Sequence, residues 1–557
     1  MDELFQQVNT WIADDPDPAT RQELATLVQR ASDGIDAAEA RADLADRFVG
    51  TLQFGTAGLR GEVGAGPNRM NRAVVIRAAA GLARWLREHD GGAVVVGFDA
   101  RHYSDVFARD TCAVMEAAGV EAMVLPHPLP TPVLAFALRY FGADAGVMVT
   151  ASHNPPRDNG YKVYLGDGSQ LCAPADTEIA AEIAAVASVS AVPRADDGWV
   201  TLDDSIVDAY LDRAASLLDP SGPRELSVVY TPLHGVGRDL LLDAFDRAGF
   251  ASPEVVASQG EPDPAFPTVA FPNPEEPGAI DAALDLARTR GADLVVANDP
   301  DADRCAIALP DRAGRWTMLT GDEVGVLLGR HLLRRGATGT FANSIVSSTL
   351  LGKVVAAAGQ RHEETLTGFK WITKAPGLRF GYEEALGYCC DPEAVLDKDG
   401  VTAALLMCEL AADCRVKGRT LHDELDDIAR DHGVHATSQV SVRVDDLAVI
   451  GETMAHLRAT PPHTLGGRDV LAVDDLLDPD GPLPPTDGLR MRLDGGARVI
   501  VRPSGTEPKV KCYLEVVVPV VDDTNDAKDA VAAARGQAAT SMDRLRLDVE
   551  ALMRPPA

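Results

Sequence analysis

The stretch AGVMVTASHNPPRDNGYKVY, residues 145–164, decides how the chain is read. An unbroken apolar run of this length that ends at a polar turn is a strand covered on both faces, as in a parallel sheet between helices. It delivers Ser152 into a loop of His, Asn, Pro and Gly, where open α/β sheets bind ligands. A hydroxyl there can act as a nucleophile when a base or a metal activates it. Lys162 follows on the next strand and can neutralise a phosphate. A serine-rich turn with only hydrogen-bonding duties has the same local pattern.

Outward from this point, strands and helices alternate. AVVVGF (93–98) and EAMVLP (121–126) read as strands, with the helix VFARDTCAVMEAAG (106–119) between them. SVVYTPLHG (227–235) and DLVVAN (293–298) are strands of a second block, and GTFANSIVSS (339–348) belongs to a third. Such alternation predicts parallel α/β sheets. The last part differs: HATSQVSVRV, RMRLDGGARVIVR and KCYLEVVVPV read as antiparallel strands before a long terminal helix. The expected fold class is therefore α/β, with three tandem α/β domains of mixed or parallel sheets and a smaller C-terminal α+β domain. The expected segments are a helical extension (1–48), α/β domains at 49–205, 206–321 and 322–440, and a C-terminal domain at 441–557.

The 557 residues carry 52 Lys plus Arg against 84 Asp plus Glu, a formal charge of −32. That balance argues against general nucleic-acid binding and against docking on anionic membranes, both of which need a basic footprint. MDELFQQVNTW lacks the basic and apolar regions of a signal peptide, and no apolar run reaches the ~20 residues of a membrane span. Eight scattered cysteines without C-x-x-C pairs fit a reduced, cytoplasmic protein without structural zinc.

Three further stretches carry chemistry. In VVANDPDADRCAI (295–307), Asp299, Asp301 and Asp303 alternate directly after a buried strand and can converge on one hard cation, with Arg304 placed to hold a phosphate beside it. In FGYEEALGY (380–388), Glu383 and Glu384 can accept hydrogen bonds from sugar hydroxyls. In VIVRPSGTEPKVKCY (499–513), Arg502, Ser504, Gly505, Thr506 and Lys509 form the donor set of a phosphate-binding nest. Lesser candidates are Arg60 in FGTAGLRG, Arg101 in GFDARHYS, His234 in TPLHGVG and Lys370 in LTGFKWI.

Taken in order, TASHNP, DPDADR, G-x-E-E and RPSGTEP resemble the α-D-phosphohexomutase family of phosphoglucomutases and phosphomannomutases, over about residues 50–520. The resemblance implies four domains around a central cleft. It implies that Ser152 carries the catalytic phosphoryl group, and that Asp299, Asp301 and Asp303 hold one Mg²⁺ per chain, with a phosphoserine oxygen of Ser152 completing the site. Glu383 falls where the family contacts sugar hydroxyls, with Glu384 beside it. Arg502 to Lys509 match the loop that grips the non-reacting phosphate, while Arg60, Lys162, His234 and Arg304 match positions lining the reaction centre. One departure concerns the sugar loop. The family usually reads G-E-x-S, whereas this chain has Tyr382-Glu383-Glu384-Ala385, which resembles the branch that also includes phosphopentomutases.

The expected activity is interconversion of a sugar 1-phosphate and 6-phosphate, of glucose or mannose, through a phosphoserine and a sugar bisphosphate intermediate. A sugar 1,6-bisphosphate would be the activator, Lys162 or His234 the general base, and a hinge near 436–445 would move the C-terminal domain. The expected partner is a phosphosugar, not nucleic acid or membrane, on a monomer or homodimer. The alternatives are a phosphopentomutase, a metal-dependent phosphatase and a non-catalytic phosphosugar-binding protein.

Overall fold

In the computed structural model, which describes residues 3–33, 35–55, 58–443, 447–503, 509–521 and 527–553, Ala145–Val149 is a strand buried along its whole length. It pairs in parallel with Ala93–Phe98 on one side and antiparallel with Asp158–Leu165 on the other. Ala93–Phe98 in turn pairs in parallel with Glu121–Val124. From Ala93–Phe98 the chain thus builds first to one side and then to the other, and the crevice at such a reversal lies at the carboxyl ends of the strands. Ser152 emerges there. The crossover helix Thr131–Phe141 starts with Pro132 in its first turn and stops at Gly142, whose φ of 62° closes the left-handed cap.

Three helices, Glu3–Asp14, Pro18–Asp33 and Ala37–Arg47, precede this sheet. They bury Val8, Leu24, Leu27, Ala31, Ala40 and Leu44 in a cluster of their own with Ala65. Asp14 fastens the first helix to the sheet domain by accepting Ser188 Oγ, Val189 N–H and Ser190 N–H. Burial raises its carboxyl, but these hydrogen bonds prevail and bring its pKa to about 2.

A second, five-stranded sheet holds Val228–Thr231 and Leu294–Ala297 in parallel at its centre. The Asp299–Asp303 loop leaves the carboxyl end of the latter strand. Both sheets belong to one compact unit, Met1–Leu319 with Gly387–Ala412. The other unit comprises Thr320–Leu386 and Asp413–Ala557. The segment expected at 322–440 is therefore shared between the two, because residues 387–412 pack with the first.

In the second unit Thr340–Ser344 lies in parallel between Arg361–Thr365 and Leu378–Glu383. Its first helix, Gly321–Arg334, begins with a capping box in which Thr320 and Glu323 satisfy each other's backbone N–H groups. Antiparallel strands follow: Val434–Arg443 pairs with Lys509–Val518, which pairs with Arg498–Pro503, then Leu489–Leu493 and Arg468–Asp475. The terminal helix Ala527–Leu552 packs on this sheet through Val531, Ala534, Ala538, Leu545 and Val549.

Two expectations change here. Residues 381–383, expected in a loop, end the strand Leu378–Glu383. The hinge expected near 436–445 falls in a continuous ladder from Val434↔Val518 to Arg443↔Lys509. Residues 444–446 lie outside the described ones. No disulfide joins the eight cysteines. Among the described residues no helix is long and apolar enough to cross a membrane.

Candidate active site

The loop after Ala145–Val149 turns sharply: Ser152 has a φ of +51°. Ala302, in the aspartate loop, has a φ of +50°. Left-handed backbone at a residue with a Cβ costs about 1–2 kcal/mol, so the surroundings must hold it. Arg101 does so for the serine loop. Its guanidinium donates to the carbonyl oxygens of Ser152 and Asn154, both at 2.6 Å, of Pro155 at 2.8 Å and of Asp158 at 3.0 Å. It also stacks on Phe266, 4.8 Å from the ring centre. Arg101 thus braces the serine loop.

The two loops meet directly. Ser152 Oγ donates to Asp299 Oδ2 at 2.6 Å. Ligand oxygens of Asp299, Asp301 and Asp303, all buried, lie within 4.8 Å of one another. Lys162 Nζ contacts Asp301 Oδ2 at 2.8 Å and Asp303 Oδ2 at 3.1 Å. Arg60, Ser152, Lys162, Gln170, Asp303, Arg304 and Lys398 line one cavity. The grouping expected for Arg60, Ser152, Lys162, Arg304 and the aspartates is what this unit contains.

The electrostatics follow from burial and crowding. Burial first, then Asp301 and Asp303, pushes the Asp299 carboxyl well above the usual range. Burial also works against ionised Asp301, yet the Lys162 ammonium together with hydrogen bonds from Thr131 and Asp299 holds that carboxyl low. Lys162 pays for its desolvation with the same two aspartates, and its pKa is raised. The two carboxylates favour its ammonium form. Asp301 Oδ1 and Asp303 Oδ1 are buried without a hydrogen-bond partner. Two such oxygens beside a third carboxylate fit a hard, oxygen-ligated cation.

His234 is the expected residue that the structure does not bring to this cavity. It accompanies Asp99, Arg101, Asp263 and Phe266 around a separate small cavity, with Nε2 2.8 Å from Thr268 Oγ1. Several residues not singled out from the sequence do join the site. His153 Nδ1 lies 3.2 Å from Ser152 Oγ, and burial followed by Arg304 and Arg60 pushes the imidazole well below its usual pKa. Thr131 Oγ1 donates to Asp301 Oδ2 at 2.7 Å. Lys398 Nζ stands 3.2 Å from Asp303 Oδ2. Its signal was Asp397-Lys398-Asp399-Gly400: a Cβ on Gly400 would lie 2.3 Å from the Arg304 carbonyl oxygen, so only glycine lets that backbone approach.

The second unit holds the other candidates. Glu383 Oε1 accepts the Gly368 N–H at 2.7 Å. Glu384 is turned inward, accepting Ser344 Oγ and Ser347 Oγ, each at 2.9 Å. Arg502 and Lys509 stand on the paired strands Arg498–Pro503 and Lys509–Val518. Burial raises the Tyr513 hydroxyl, and both the Glu384 and Glu383 carboxylates add to that while Arg502 opposes it. Tyr513 therefore lies in the field of both loops. Ser504, Gly505 and Thr506 lie outside the described residues. Lys370 Nζ lies 5.8 Å from the centre of the Trp371 ring.

Profiles of the phosphoglucomutase/phosphomannomutase family match in order: alpha/beta/alpha domain I at residues 51–190, domain II at 208–314, domain III at 320–431 and the C-terminal domain at 440–533. A Haemophilus influenzae protein described as "Probable phosphomannomutase" is 48% identical over 454 residues, 80% of this chain and 93% of its own. The phosphopentomutase of Homo sapiens is 33% identical over 93% of this chain and 92% of its own length. The phosphoglucomutase of Staphylococcus haemolyticus is 33% identical, covering 85% and 91%. The crystal structure of a phosphoglucomutase/phosphomannomutase family protein from Burkholderia thailandensis shares the fold, with a TM-score of 0.69 at 20% identity over 90% of this chain and 98% of that one. With the serine, the aspartate triad and the cations gathered as described, the chain belongs to the phosphoglucomutase/phosphomannomutase family and is a phosphosugar mutase, an isomerase acting by intramolecular phosphoryl transfer.

Proposed function

We propose that the chain interconverts glucose 1-phosphate and glucose 6-phosphate through a phosphorylated Ser152 and a glucose 1,6-bisphosphate intermediate. The observation that carries this reading is the short Ser152–Asp299 contact in a cavity also lined by Arg60, Lys162, Arg304 and Lys398. In the first half-reaction the P–O bond to Ser152 breaks as a new one forms to the free sugar hydroxyl. The bisphosphate then turns over and returns its other phosphoryl group to Ser152. Asp299, Asp301 and Asp303, with a phosphoryl oxygen on Ser152, would hold Mg²⁺, which when bound would supply positive charge there.

The chain's own residues do the rest. Arg60, Arg304 and Lys398 stabilise the equatorial phosphoryl oxygens, where most catalysis of phosphoryl transfer lies. Lys162 belongs with these cations, since it is held as an ammonium between two aspartates. His153, 3.2 Å from Ser152 Oγ, is the neutral group placed to relay the hydroxyl proton. Arg502 and Lys509, with Ser504, Gly505 and Thr506, hold the non-reacting phosphate, and Glu383 accepts a sugar hydroxyl.

A phosphopentomutase is the second reading. Ala385 lacks the hydroxyl of the usual sugar loop, and the human phosphopentomutase matches 93% of this chain. The test compares glucose, mannose and ribose 1-phosphates by kcat/KM, with Mg²⁺ and a trace of sugar bisphosphate, while free phosphate is followed. Preference for glucose supports the first reading and preference for ribose the second. Release of phosphate without isomer overturns both.

A further inference from the structure

We infer that Glu384 is a positioning residue, holding from inside the fold the turn that presents Glu383 to the sugar, and that it makes no contact with the substrate itself. The inference rests on the mutase reading above. Along a strand, successive side chains point to opposite sides. Tyr382 and Glu383, the last two residues of the strand Leu378–Glu383, therefore point to opposite sides, and Glu384 opens the turn that follows. Tyr382 is fully buried, and its hydroxyl donates to Asp322 Oδ1 at 2.9 Å. Glu384 Oε2 accepts both Ser344 Oγ and Ser347 Oγ, and the Glu384 N–H donates to Ser347 Oγ at 3.1 Å. Both serines are fully buried, and their hydroxyls lie 2.8 Å apart. These contacts occupy the inward oxygen of Glu384 with groups that have no other exposure.

What holds the serines is equally specific. Arg498, buried on the antiparallel sheet, donates to the Ile345 carbonyl at 2.8 Å and to the Ser347 carbonyl. Its Nε donates to Glu515 Oε2 at 2.7 Å, and Glu515 also accepts Ser348 Oγ at 2.7 Å. Behind the turn, a Cβ on Gly321 would stand 1.9 Å from the Glu384 carbonyl oxygen, so the start of the helix Gly321–Arg334 presses on the turn's backbone. The network Glu515–Arg498–Ser347–Glu384 thus runs through one unit from the sheet that carries Arg502 to the residue beside Glu383. Glu384 and Glu383 look alike in sequence, but Glu384 is held by the two buried serines while Glu383 accepts the Gly368 N–H.

The experiment measures kcat and KM for the preferred sugar 1-phosphate and for one epimer, with thermal unfolding as a check on folding. Glu384→Ala is expected to raise KM about tenfold for both sugars alike, with kcat within about threefold, the scale of losing one or two hydrogen bonds. Ser347→Ala should raise KM in the same direction. Glu384→Gln should recover most of the loss, because its carbonyl oxygen still accepts both serine hydroxyls. On a Glu383→Ala background, Glu384→Ala should add little. The inference is overturned if Glu384→Gln is as damaging as Glu384→Ala, or if Ser347→Ala is silent. It is also overturned if the Glu384→Ala loss depends on which epimer is used. A wild-type protein that isomerises no sugar overturns the mutase reading and this inference together, whereas a working mutase with a silent Ser347→Ala removes only the role of Glu384.

Discussion

The Ser152–aspartate cavity holds buried carboxylates and the Glu383–Glu384 turn half-buried ones, and the two regions satisfy them differently. In the cavity, three aspartates face Arg60, Lys162, Arg304 and Lys398, and two carboxylate oxygens are left without a hydrogen-bond partner. At the turn, Glu384 accepts two serine hydroxyls, and a backbone presses from behind. The first arrangement is built to change its charge load during a reaction. The second is built to stay still. A charge network poised for a ligand gives large effects on rate when broken, whereas a hydroxyl-held carboxylate gives moderate effects on binding.

The largest break should come from Ser152→Ala. It should lower isomerisation by more than about a thousandfold, and intact-mass measurement should find no phosphoryl group gained from sugar bisphosphate. A variant that still takes up the phosphoryl group would show that another residue carries it.

Next comes the ion pair. Lys162→Met leaves Asp301 and Asp303 facing each other without their ammonium, and breaking one side of a buried pair costs about 3–5 kcal/mol. Chemical denaturation without metal should show that loss. Added Mg²⁺ should restore part of it, since a cation among the aspartates replaces the missing charge. Equal stability with and without Mg²⁺ would argue against a cation site at the triad.

Acid should act on the second unit through Glu515. Burial raises its carboxyl, but Arg498 and then His435 overcome that and bring the pKa to about 2 from an ordinary 4.5. A carboxyl depressed in the folded state stabilises it fully above the unfolded pKa. That contribution, about 3 kcal/mol, is lost as pH falls from about 4.5 toward 2. Unfolding followed between pH 6 and 3 should show the loss in wild type and a flatter profile in Glu515→Gln, which starts from lower stability.

The smallest effect is expected from Ala385→Ser, which returns the hydroxyl usual in this family's sugar loop. One hydrogen bond is worth about 0.5–1.5 kcal/mol, so sugar preference should move by no more than about tenfold in kcat/KM. A larger shift would show that the added hydroxyl also repositions Glu383.

The difference between the two regions also explains what could be read from the letters. The triad was legible because one loop carries all three aspartates straight after a buried strand, and Ser152 because its loop follows another. The alternation of strands and helices, and the change to antiparallel strands after residue 434, were legible by period. Lys398 was not, because it reaches Asp303 across 95 residues of chain, and the Asp397-Lys398-Asp399-Gly400 run beside it does not say which loop it approaches. The cavity His234 lines was not legible, because a strand end does not tell which cavity a histidine enters. Glu384 was paired with Glu383 because sequence order does not reveal which of two adjacent side chains the buried serines hold.

One feature of the fold bears on how the protein is made. Residues 387–412 belong to the first unit, although residues 320–386 before them belong to the second. A ribosome that has released the chain as far as Leu319 has therefore supplied the serine and all three aspartates but not Lys398, nor Asp397, which accepts the hydroxyl of Tyr164 at 2.7 Å. The catalytic half cannot close its own interior until most of the sugar-loop segment has been synthesised. No single cut of the gene separates the two units, and a fragment ending at 319 would be born with its phosphate cavity unfinished.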